Sequence, residues 1–588
     1  MAFTPNQQEA IEHDGHLLIV AGPGSGKTTT SVAKGMRILQ DPSRSLLMVT
    51  FTKEGADEMR RRFDAAQKKA GGAPFSDRRL LIGTFHSIAL KHLYSHRPRE
   101  KLLSPVQQNA FLQEAINRFT NDAEEGKEVR NEFESYMYAI DQDSVELSSS
   151  AASVITQYSE RLKASHTTDL YSVMRNCSLC ARDGTIPPMR FTDMLVDEGQ
   201  DTDELQKVWI FAHARAGINV TIVGDDDQSI YEWRHALGYT GMRSFLEEFG
   251  ARRIELGDNF RSRSEILAHA VILVEHNKER LGKHLVARRG DGGKISAYYT
   301  PSPTGQCDEL ADLIRDLPES HTNTAVLART NLSLNNLEMA LSLRQIHYIR
   351  IGKSIWDNAH VANYLCLLQS LLDGSPVGIF STLGILSLDH EVKTEILHKM
   401  KGSAHGFMAG EIPPLDHATQ TDMQIVREFS KSCVFWRAQL QAGSVTEVVL
   451  DTGEWLASHQ RSTRVRETVK MAASILGRLS GKLSARLFFI NTNKKSSGSA
   501  PVTLMTMHGS KGLEFDTVHV IDANKPEDGS DLIHAESERR LMYVALTRAK
   551  DRCFVWYNGT AHPTLAEAQL PVLHEYEKLY ALAAEPVG

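Results

Sequence analysis

The residues best suited to chemistry near the N-terminus form the glycine-rich stretch AGPGSGKT, residues 21–28. The apolar run His16–Val20 precedes it with the pattern of a buried parallel strand, and Thr30–Leu39 has helical spacing. In such a strand–turn–helix order, Gly24 and Gly26 allow backbone amides to face phosphate oxygens, and the helix N-terminus adds positive potential. The stretch therefore predicts a phosphate-binding loop, although Ala21 stands where the strict pattern has glycine.

An acidic pair, Asp197 and Glu198, follows the apolar run that begins at Met194. A phosphate loop needs an acid on a neighbouring strand, so Asp197 is predicted to hold Mg²⁺ together with Thr28. Glu198 is predicted to orient or deprotonate the attacking water, and Lys27 to reach the β- and γ-phosphates. ATP hydrolysis with Mg²⁺ is the predicted chemistry. The predicted nucleotide contacts in the loop are Ala21, Gly22, Pro23, Gly24, Ser25, Gly26, Lys27, Thr28 and Thr29.

A third stretch, VGDDDQSIYEWRHA at residues 223–236, combines acids, an amide, aromatic rings and a cation. Its apolar start places the acids where a strand meets its loop, which is where parallel α/β sheets bind ligands. Gln228 is predicted to sense the γ-phosphate, Tyr231 and Trp233 to stack on unpaired bases, and Arg234 to contact a backbone phosphate. One continuous segment would then join the ATP site to a single strand. The ordinary alternative is core packing beside a solvated acidic turn.

GDDDQSIYEWRHA resembles motif III of the UvrD/Rep/PcrA-like superfamily 1 (SF1A) DNA helicases. Seven other stretches resemble the remaining motifs of that family, in family order: FTPNQQEAI, VTFTKEGADEMRRR, GTFHSIA, DEGQDT, ELGDNFRS, TLMTMHGSKGLEFDTVHVI and ERRLMYVALTRAKD. The matches run from residue 3 to about residue 552, nearly the whole chain. The sequence departs from the family pattern at Lys53–Gly55, at Glu232 and at Thr29.

The resemblance implies roles for single residues. On the ATP side, it implies that Gln7 reads the adenine, that Phe260 lies on it and that Glu514 contacts the ribose. Arg261 and Arg548 would contact the γ-phosphate, and we expect both of them on a different lobe from the phosphate loop. On the DNA side, the resemblance implies contacts from Phe51, Thr52, Thr84, Phe85, His86, Tyr231, Trp233, Arg234, Thr506, His508 and Lys511.

Apolar strand-like runs fall into two groups with helical patterns between them, which is typical of parallel α/β sheets. We predict an α/β fold with two RecA-like parallel-sheet P-loop NTPase domains, each with a mainly helical insertion. The predicted ranges are core 1A at 1–90 and 190–260, insertion 1B at 91–189, core 2A at 261–372 and 497–588, and a short insertion 2B at 373–496.

Composition limits the class of protein and its partners. A chain of 588 residues is too long for one core, and 41% apolar with 24% charged residues is typical of globular proteins. The net charge of −7 requires that any nucleic acid follow a local cationic path. Six scattered cysteines, no secretory signal pattern and no membrane-length apolar run predict a cytoplasmic protein without a membrane partner.

The predicted function is an ATP-dependent helicase or translocase on single-stranded DNA or a single-strand/duplex junction, moving 3′→5′ by resemblance. One alternative is an ATPase stimulated by single-stranded DNA that unwinds little alone and serves a nuclease or repair partner, for example in anti-phage defence. The short second insertion favours that alternative. Another is a non-motor ATPase switch that DNA does not stimulate. RNA stays open in place of DNA, because stacking does not read the sugar.

Overall fold

The computed structural model describes residues 3–73, 75–76, 78–317, 323–386, 388–460, 462–495, 502–526 and 534–585. The chain divides into two compact units. Unit 1 comprises residues 1–291 and 531–543, and unit 2 comprises residues 292–530 and 544–588.

Unit 1 is built on a parallel sheet. Its described strands are β1 (Leu17–Ala21), β2 (Leu46–Thr50), β3 (Leu80–Thr84), β4 (Lys101–Leu102), β5 (Thr167–Thr168), β6 (Asp193–Val196), β7 (Asn219–Gly224), β8 (Arg252–Leu256), β9 (Asp258–Asn259) and β10 (Val286–Ala287). Six of them pair in the order β3-β2-β6-β7-β1-β8, every pair parallel. The strand that ends at the phosphate loop and the strand that ends at Asp197 are therefore separated by β7.

Helices cover both faces of this sheet. Those described in unit 1 are α1 (Pro5–Glu12), α2 (Lys27–Gln40), α3 (Lys53–Lys69), α4 (Phe85–Tyr94), α5 (Pro105–Phe119), α6 (Ala123–Tyr138), α7 (Ser149–Ala164), α8 (Leu170–Arg182), α9 (Glu204–Arg215), α10 (Gly238–Phe249) and α11 (Ser264–Val274). Along β1, Leu18 and Val20 join the core cluster around Trp209, whereas Leu17 and Ile19 join the cluster around Phe63. This alternation is that of a strand buried on both faces.

Helices α5 to α7 have a core of their own within unit 1. It includes Phe133 and Tyr158, whose rings meet edge to face with centroids 5.0 Å apart. This helical cluster lies within the predicted insertion at 91–189.

Unit 2 contains a second parallel sheet. Its described strands are β11 (Lys294–Tyr299), β12 (Thr324–Ala328), β13 (Tyr348–Arg350), β14 (Val502–Thr506), β15 (Phe515–Ile521), β16 (Ala549–Tyr557) and β17 (Val572–Leu573). They pair in the order β13-β14-β12-β15-β16-β11-β17, every pair parallel.

The remaining helices belong to unit 2, apart from one that starts in unit 1. They are α12 (Pro303–Asp316), α13 (Asn331–Leu343), α14 (Ala359–Asp373), α15 (Pro376–Leu383), α16 (His390–Lys399), α17 (Gln420–Gln441), α18 (Val445–Ser458), α19 (Thr463–Arg478), α20 (Leu483–Lys495), α21 (Ala535–Leu546), α22 (Pro563–Glu567) and α23 (Tyr576–Ala584). Helix α21 begins in unit 1 and ends in unit 2, since the division falls after Tyr543. Helices α14 to α20 form one apolar core from Ile355 to Ile490.

The predicted fold class is confirmed: two RecA-like parallel sheets, each accompanied by a helical segment. The structure draws two boundaries differently from the sequence. The second helical core begins at Ile355, upstream of residue 373, because apolar side chains of α14 pack into it. Residues 261–291 belong to unit 1 and not with residues 292–372. The four-part division itself stays a prediction. Among the described residues, no helix is long and apolar enough to cross a membrane.

Candidate nucleotide site and nucleic-acid interface

Of the predicted phosphate loop at 21–28, residues 22–26 connect the end of β1 at Ala21 to the first residue of α2, Lys27. Gly24 and Gly26 have backbone φ angles of +62° and +77°, in the left-handed region that glycine adopts without strain. Within the described chain, no side chain caps the N-terminus of α2, so the first N–H groups of that helix lack a side-chain acceptor. Loop and helix together have the conformation that binds phosphate oxygens.

Gln7 lies against this loop. Its Oε1 accepts from the backbone N–H of Thr4 at 2.9 Å, and its Nε2 donates to the carbonyl of Ser25 at 3.0 Å. A Cβ placed on Gly26 would come within 2.9 Å of the same Nε2. The structure therefore positions Gln7 at the nucleotide loop, and its reading of adenine stays a prediction.

Asp197 and Glu198 follow the end of β6. Asp197 is buried, and its Oδ1 has no hydrogen-bond partner among the described residues. Burial and the neighbouring Glu198 raise the pKa of Asp197 to about 7. Glu198 Oε2 lies 3.6 Å from Lys27 Nζ. These residues fit Mg²⁺ and a nucleotide, because a cation satisfies a buried carboxylate oxygen that has no protein partner.

A series of polar contacts leads from Lys27 to Gln228, and we call it the polar path: it begins with the Lys27–Glu198 ion pair and continues through hydrogen bonds. Gln200 Nε2 donates to Glu198 Oε2 at 2.6 Å, and Gln200 Oε1 accepts from the backbone N–H of Asp225 at 2.9 Å. Gln228 Nε2 then donates to Asp225 Oδ2 at 2.5 Å. Gln200, Asp225 and Gln228 are all buried, whereas the side chains of Lys27 and Glu198 are 14% and 29% exposed. The path therefore runs from a partly exposed start at the phosphate loop to a buried end at Gln228.

The three acids Asp225, Asp226 and Asp227, here called the acidic cluster, surround a lysine. Lys283 Nζ lies 2.8, 3.1 and 2.5 Å from their carboxylate oxygens, and its side chain is fully buried. Arg280 adds a second cation, 2.8 Å from Asp227. Burial alone would lower the pKa of Lys283, but the three carboxylates outweigh it and raise that pKa well above its ordinary value. The carboxylate oxygens of the acidic cluster are close enough together to coordinate a metal ion, but in this structure they bind the ammonium group of Lys283.

The aromatic platform consists of Phe51, Tyr231 and Trp233. The rings of Phe51 and Tyr231 are stacked, with centroids 5.6 Å apart and planes 17° apart. Trp233 lies 6.3 Å from Tyr231 and is 61% exposed. The guanidinium of Arg234 lies 4.5 Å from the Trp233 ring centroid. The exposed indole excludes core packing for this ring, so the platform has the surface that an unstacked base requires.

Four further residues predicted to contact a strand follow β2 and β3. Thr52 and Thr84 cap α3 and α4, with side-chain oxygens 3.0 and 3.4 Å from the helix amides. His86 is half-buried, and burial lowers its pKa, so its imidazole is neutral at neutral pH. Phe85 is 3% exposed and packs edge-on against Trp209. The prediction that Phe85 contacts a strand is wrong, because the core covers its ring.

Phe260 and Arg261 adjoin the phosphate loop within unit 1. The backbone N–H of Phe260 donates to the carbonyl of Gly24 at 3.0 Å, and Asn259 Nδ2 donates to the carbonyl of Pro23 at 2.7 Å. The Phe260 ring is 39% exposed. The expectation that Arg261 lies on a different lobe from the loop is wrong, because Arg261 belongs to unit 1. It closely follows β8 and β9 in the chain, and β8 pairs with β1, the strand that leads into the loop.

Four of the predicted residues of unit 2, Thr506, His508, Lys511 and Glu514, lie at or after the end of β14. Thr506 is the last residue of that strand, and its Oγ1 accepts from the backbone N–H of Gly509 at 3.1 Å. His508 starts a 3-10 turn and Lys511 follows it. Glu514 is exposed and lies 3.2 Å from Lys550. The Glu514 side chain is 48% exposed, and its contact with the ribose stays a prediction.

Arg548 is buried inside unit 2. Its Nε donates to the carbonyl of Val544 at 2.9 Å and its Nη1 to the carbonyl of Leu513 at 3.2 Å. Backbone carbonyls thus fix the guanidinium from two sides, directly after α21.

Comparison with known proteins agrees with this geometry. The sequence of the UvrD/REP helicase N-terminal domain matches residues 3–249, and that of the UvrD-like helicase C-terminal domain matches residues 254–375 and 421–560. The chain belongs to the UvrD/REP helicase family. The predicted resemblance is therefore confirmed.

Relatives within the UvrD/REP family match nearly the whole length of this chain. DNA helicase II of Escherichia coli is 27% identical over 628 residues, covering 95% of this chain and 85% of the relative. DNA helicase II of Haemophilus influenzae is 27% identical over 620 residues, covering 92% and 82%. ATP-dependent DNA helicase PcrA of Leuconostoc citreum is 26% identical over 632 residues, covering 93% and 81%.

Sequence reasoning missed several side chains that hold this UvrD/REP-type site together. Gln200 and Asn259 lie inside the recognised motifs DEGQDT and ELGDNFRS, which signalled their neighbourhood but not their contacts. Lys283 and Arg280 lie outside every recognised motif. A lysine that binds three buried carboxylates has no local signature, so only the folded chain identifies it.

Proposed function

We propose that this protein is an ATP-dependent DNA helicase or translocase that moves 3′→5′ on single-stranded DNA. Family membership supports the proposal, as do the names of the relatives, DNA helicase II and ATP-dependent DNA helicase PcrA. The observation that carries it is the polar path from Lys27 to Gln228, which continues along the chain within three residues to the aromatic platform.

The chemistry of the ATP side follows from the charges at the loop. Bound MgATP supplies the transferable γ-phosphate together with a cation that neutralises developing charge. Lys27 binds the terminal phosphates, Thr28 and Asp197 hold the Mg²⁺, and Glu198 orients the attacking water and accepts its proton. Arg261 stabilises charge on the transferred group.

Arg548 is the second arginine proposed for the γ-phosphate. In this structure its guanidinium bonds to carbonyls of its own unit. Its proposed role therefore includes a rearrangement of these bonds when ATP binds. Phe260 and Gln7 provide the adenine contacts, and Glu514 the ribose contact.

The strand side works mainly by stacking. Trp233, Tyr231 and Phe51 bind successive bases, each worth about 1–3 kcal/mol. Arg234 binds a backbone phosphate beside the indole. Thr52, Thr84 and His86 of unit 1, with Thr506, His508 and Lys511 of unit 2, donate hydrogen bonds or charge along the backbone.

Coupling between the two sides runs through Gln228. Loss of the γ-phosphate changes the hydrogen bonds available to Glu198 and Gln200, and hence those of Asp225 and Gln228. Because Gln228 lies three residues before Tyr231, a change in its position is passed along a short, partly buried backbone to the platform. ATP hydrolysis and binding of the DNA strand by the platform then alternate.

The test is Trp233→Ala in the full chain. We expect stimulation of ATP turnover by a single-stranded oligonucleotide to fall at least about tenfold, because the exposed stacking surface is lost. ATP affinity without DNA should change less than about twofold, since the indole lies outside the phosphate loop. Steady-state turnover with and without oligonucleotide, and nucleotide titration, measure the two quantities.

Phe435→Ala is the matched control. Phe435 is another exposed aromatic side chain, 55% exposed, but it lies on α17 outside every recognised motif. We expect it to leave stimulation unchanged. Equal stimulation in the Trp233→Ala and unsubstituted proteins would refute the proposed coupling. So would a wild-type protein whose ATP turnover does not respond to DNA.

A further inference from the structure

Glu232 lies between the half-buried Tyr231 and the exposed Trp233 of the aromatic platform, and its carboxylate binds Arg540 on α21. Its Oε1 accepts from Arg540 Nη1 at 2.5 Å, and both residues belong to unit 1. An anion beside a polyanionic strand is unfavourable unless its charge is compensated. The ion pair with Arg540 supplies that compensation. Glu232 is therefore not simply a solvated surface charge.

Arg540 is itself firmly held. Only 8% of its side chain is exposed, and its Nη2 donates to the carbonyl of Glu279 at 3.2 Å and to Glu536 Oε2 at 3.1 Å. The other oxygen of Glu536 accepts from the backbone N–H of Lys278 at 2.9 Å. The first turns of α21 are therefore fastened to the segment 277–283.

That segment also reaches the polar path. Arg280 and Lys283 bind the acidic cluster, in which Asp225 is hydrogen-bonded to Gln228. The turn Glu232–Arg234, here called the platform turn, shares one set of ion pairs with the start of α21. The acidic cluster has a second set, and the backbone of segment 277–283 joins the two. A displacement of the platform turn, the acidic cluster or the start of α21 strains the other two.

Helix α21 then leads to Arg548. It continues from Arg540 to Leu546, about 9 Å along its axis, and Arg548 follows two residues later with its Nε bonded to the carbonyl of Val544 in the last turn. An α-helix transmits an axial or rotational displacement with little loss over this length. Glu232 is thus joined by one ion pair and one helix to an arginine proposed for the γ-phosphate.

We propose that Glu232 is a positioning residue that transmits strand binding on the aromatic platform through Arg540 and α21 to Arg548. The inference rests on the proposed function and adds a second route beside the polar path. A strand stacked on Trp233 fixes the turn Glu232–Arg234, and the ion pair then fixes α21 in the position that turnover requires. Glu232 acts on the rate of the stimulated reaction rather than on strand affinity.

The experiment compares Glu232→Gln with Glu248→Gln in the full chain. Glu248 also forms a 2.5 Å ion pair, with Arg215 of unit 1, and is similarly exposed, but it lies on α10 away from the platform turn. For Glu232→Gln we expect the maximal oligonucleotide-stimulated ATP turnover to fall about five- to tenfold, while the half-saturating oligonucleotide concentration changes less than about twofold. Glu248→Gln should change neither.

A double-mutant cycle identifies the partner. If Glu232 acts through Arg540, the double variant Glu232→Gln/Arg540→Gln should be no slower than Arg540→Gln alone. Melting temperatures of the Glu232 variant should stay within about 2 °C of the unsubstituted protein, because the Glu232 carboxylate is 42% exposed and the largely buried Arg540 keeps its ion pair with Glu536. Any loss of rate then reflects coupling and not unfolding.

Three results would overturn the inference: an unchanged maximal rate in Glu232→Gln, a change confined to the half-saturating concentration, or independent effects of the two substitutions. If Trp233→Ala abolishes stimulation and Glu232→Gln does not reduce it, the proposed function stands and this inference fails. If the unsubstituted protein shows no stimulation, both fail together.

Discussion

At Gly24, backbone conformation and packing both require the absence of a side chain. Its φ is +62°, and a Cβ there would lie 2.6 Å from the Cβ of Arg261 and 3.2 Å from the Arg261 backbone nitrogen. The glycine therefore serves two purposes: it turns the loop amides toward a phosphate, and it admits the segment with Phe260 and Arg261 against the loop. Sequence pattern predicts the first purpose, and the folded chain shows the second.

Gly24→Ala is expected to weaken ATP binding by at least about tenfold, because the added methyl group combines left-handed strain with a clash against Arg261. Titration with a fluorescent ATP analogue measures the affinity. Gly184→Ala is the matched control, since Gly184 has a φ of +74° but nothing within 4 Å of its Cβ position. Similar losses in both variants would show a general effect of left-handed strain on the fold, and would contradict a specific role of Gly24 at the phosphate loop.

At the scale of elements, the segment between α11 and β10 holds the acidic cluster in place. It delivers Lys283 and Arg280 to the acidic cluster, and the backbone N–H of Leu281 donates to Asp226 at 2.6 Å. Three adjacent buried carboxylates would repel each other and the short 3-10 turn Asp226–Gln228 would open without these cations. The segment thus fixes the geometry of Gln228 through Asp225 of the acidic cluster.

Lys283→Met is expected to lower the free energy of unfolding of unit 1 by about 3–5 kcal/mol, because it leaves buried charges uncompensated. Thermal and urea denaturation measure the loss. Lys578→Met, which removes an exposed ion pair with Glu575, should change stability by less than about 1 kcal/mol. Adding Asp226→Asn to Lys283→Met should recover part of the loss. A stable Lys283→Met protein would mean that the acidic cluster does not depend on this lysine.

At the scale of the whole molecule, candidate strand contacts occur in both units. Unit 1 carries Phe51, Tyr231 and Trp233, and unit 2 carries Thr506 and Lys511. A motor that grips a strand alternately with two bodies moves in one direction, because the order of the grips along the strand is fixed by its polarity. Helix α21 spans the division between the units, so it is the natural element for passing a change from one to the other.

We expect this protein to displace a strand from a duplex with a 3′ single-stranded tail, and not from one with a 5′ tail, because it belongs to the UvrD/REP family. Gel-resolved strand displacement with the two tailed duplexes measures polarity, and Lys27→Ala is the control without ATP turnover. Displacement from the 5′ tail would reverse the proposed direction. DNA-stimulated turnover without displacement from either duplex would favour the alternative of an ATPase that serves a nuclease partner.

The sequence by itself determined the glycines of the phosphate loop, the acidic pair after β6 and the strand-length apolar runs of the two sheets. These features depend on short-range chemistry: glycine at left-handed positions, apolar runs of strand length, and acids placed where a strand ends. Each is readable from about ten neighbouring residues, because backbone hydrogen bonding and side-chain periodicity act over that distance.

Only the tertiary structure decided which residues meet. A lysine that is solvated and one that is enclosed by three carboxylates look alike in sequence, so Lys283 could not be predicted. Phe85 follows a strand end just as Phe51 does, yet one ring packs against Trp209 and the other stacks on Tyr231. Arg261 belongs to unit 1 because it comes shortly after β8, a strand of the first sheet. Burial and long-range ion pairing depend on how distant segments return to one place, and that information lies in the packing of the whole chain.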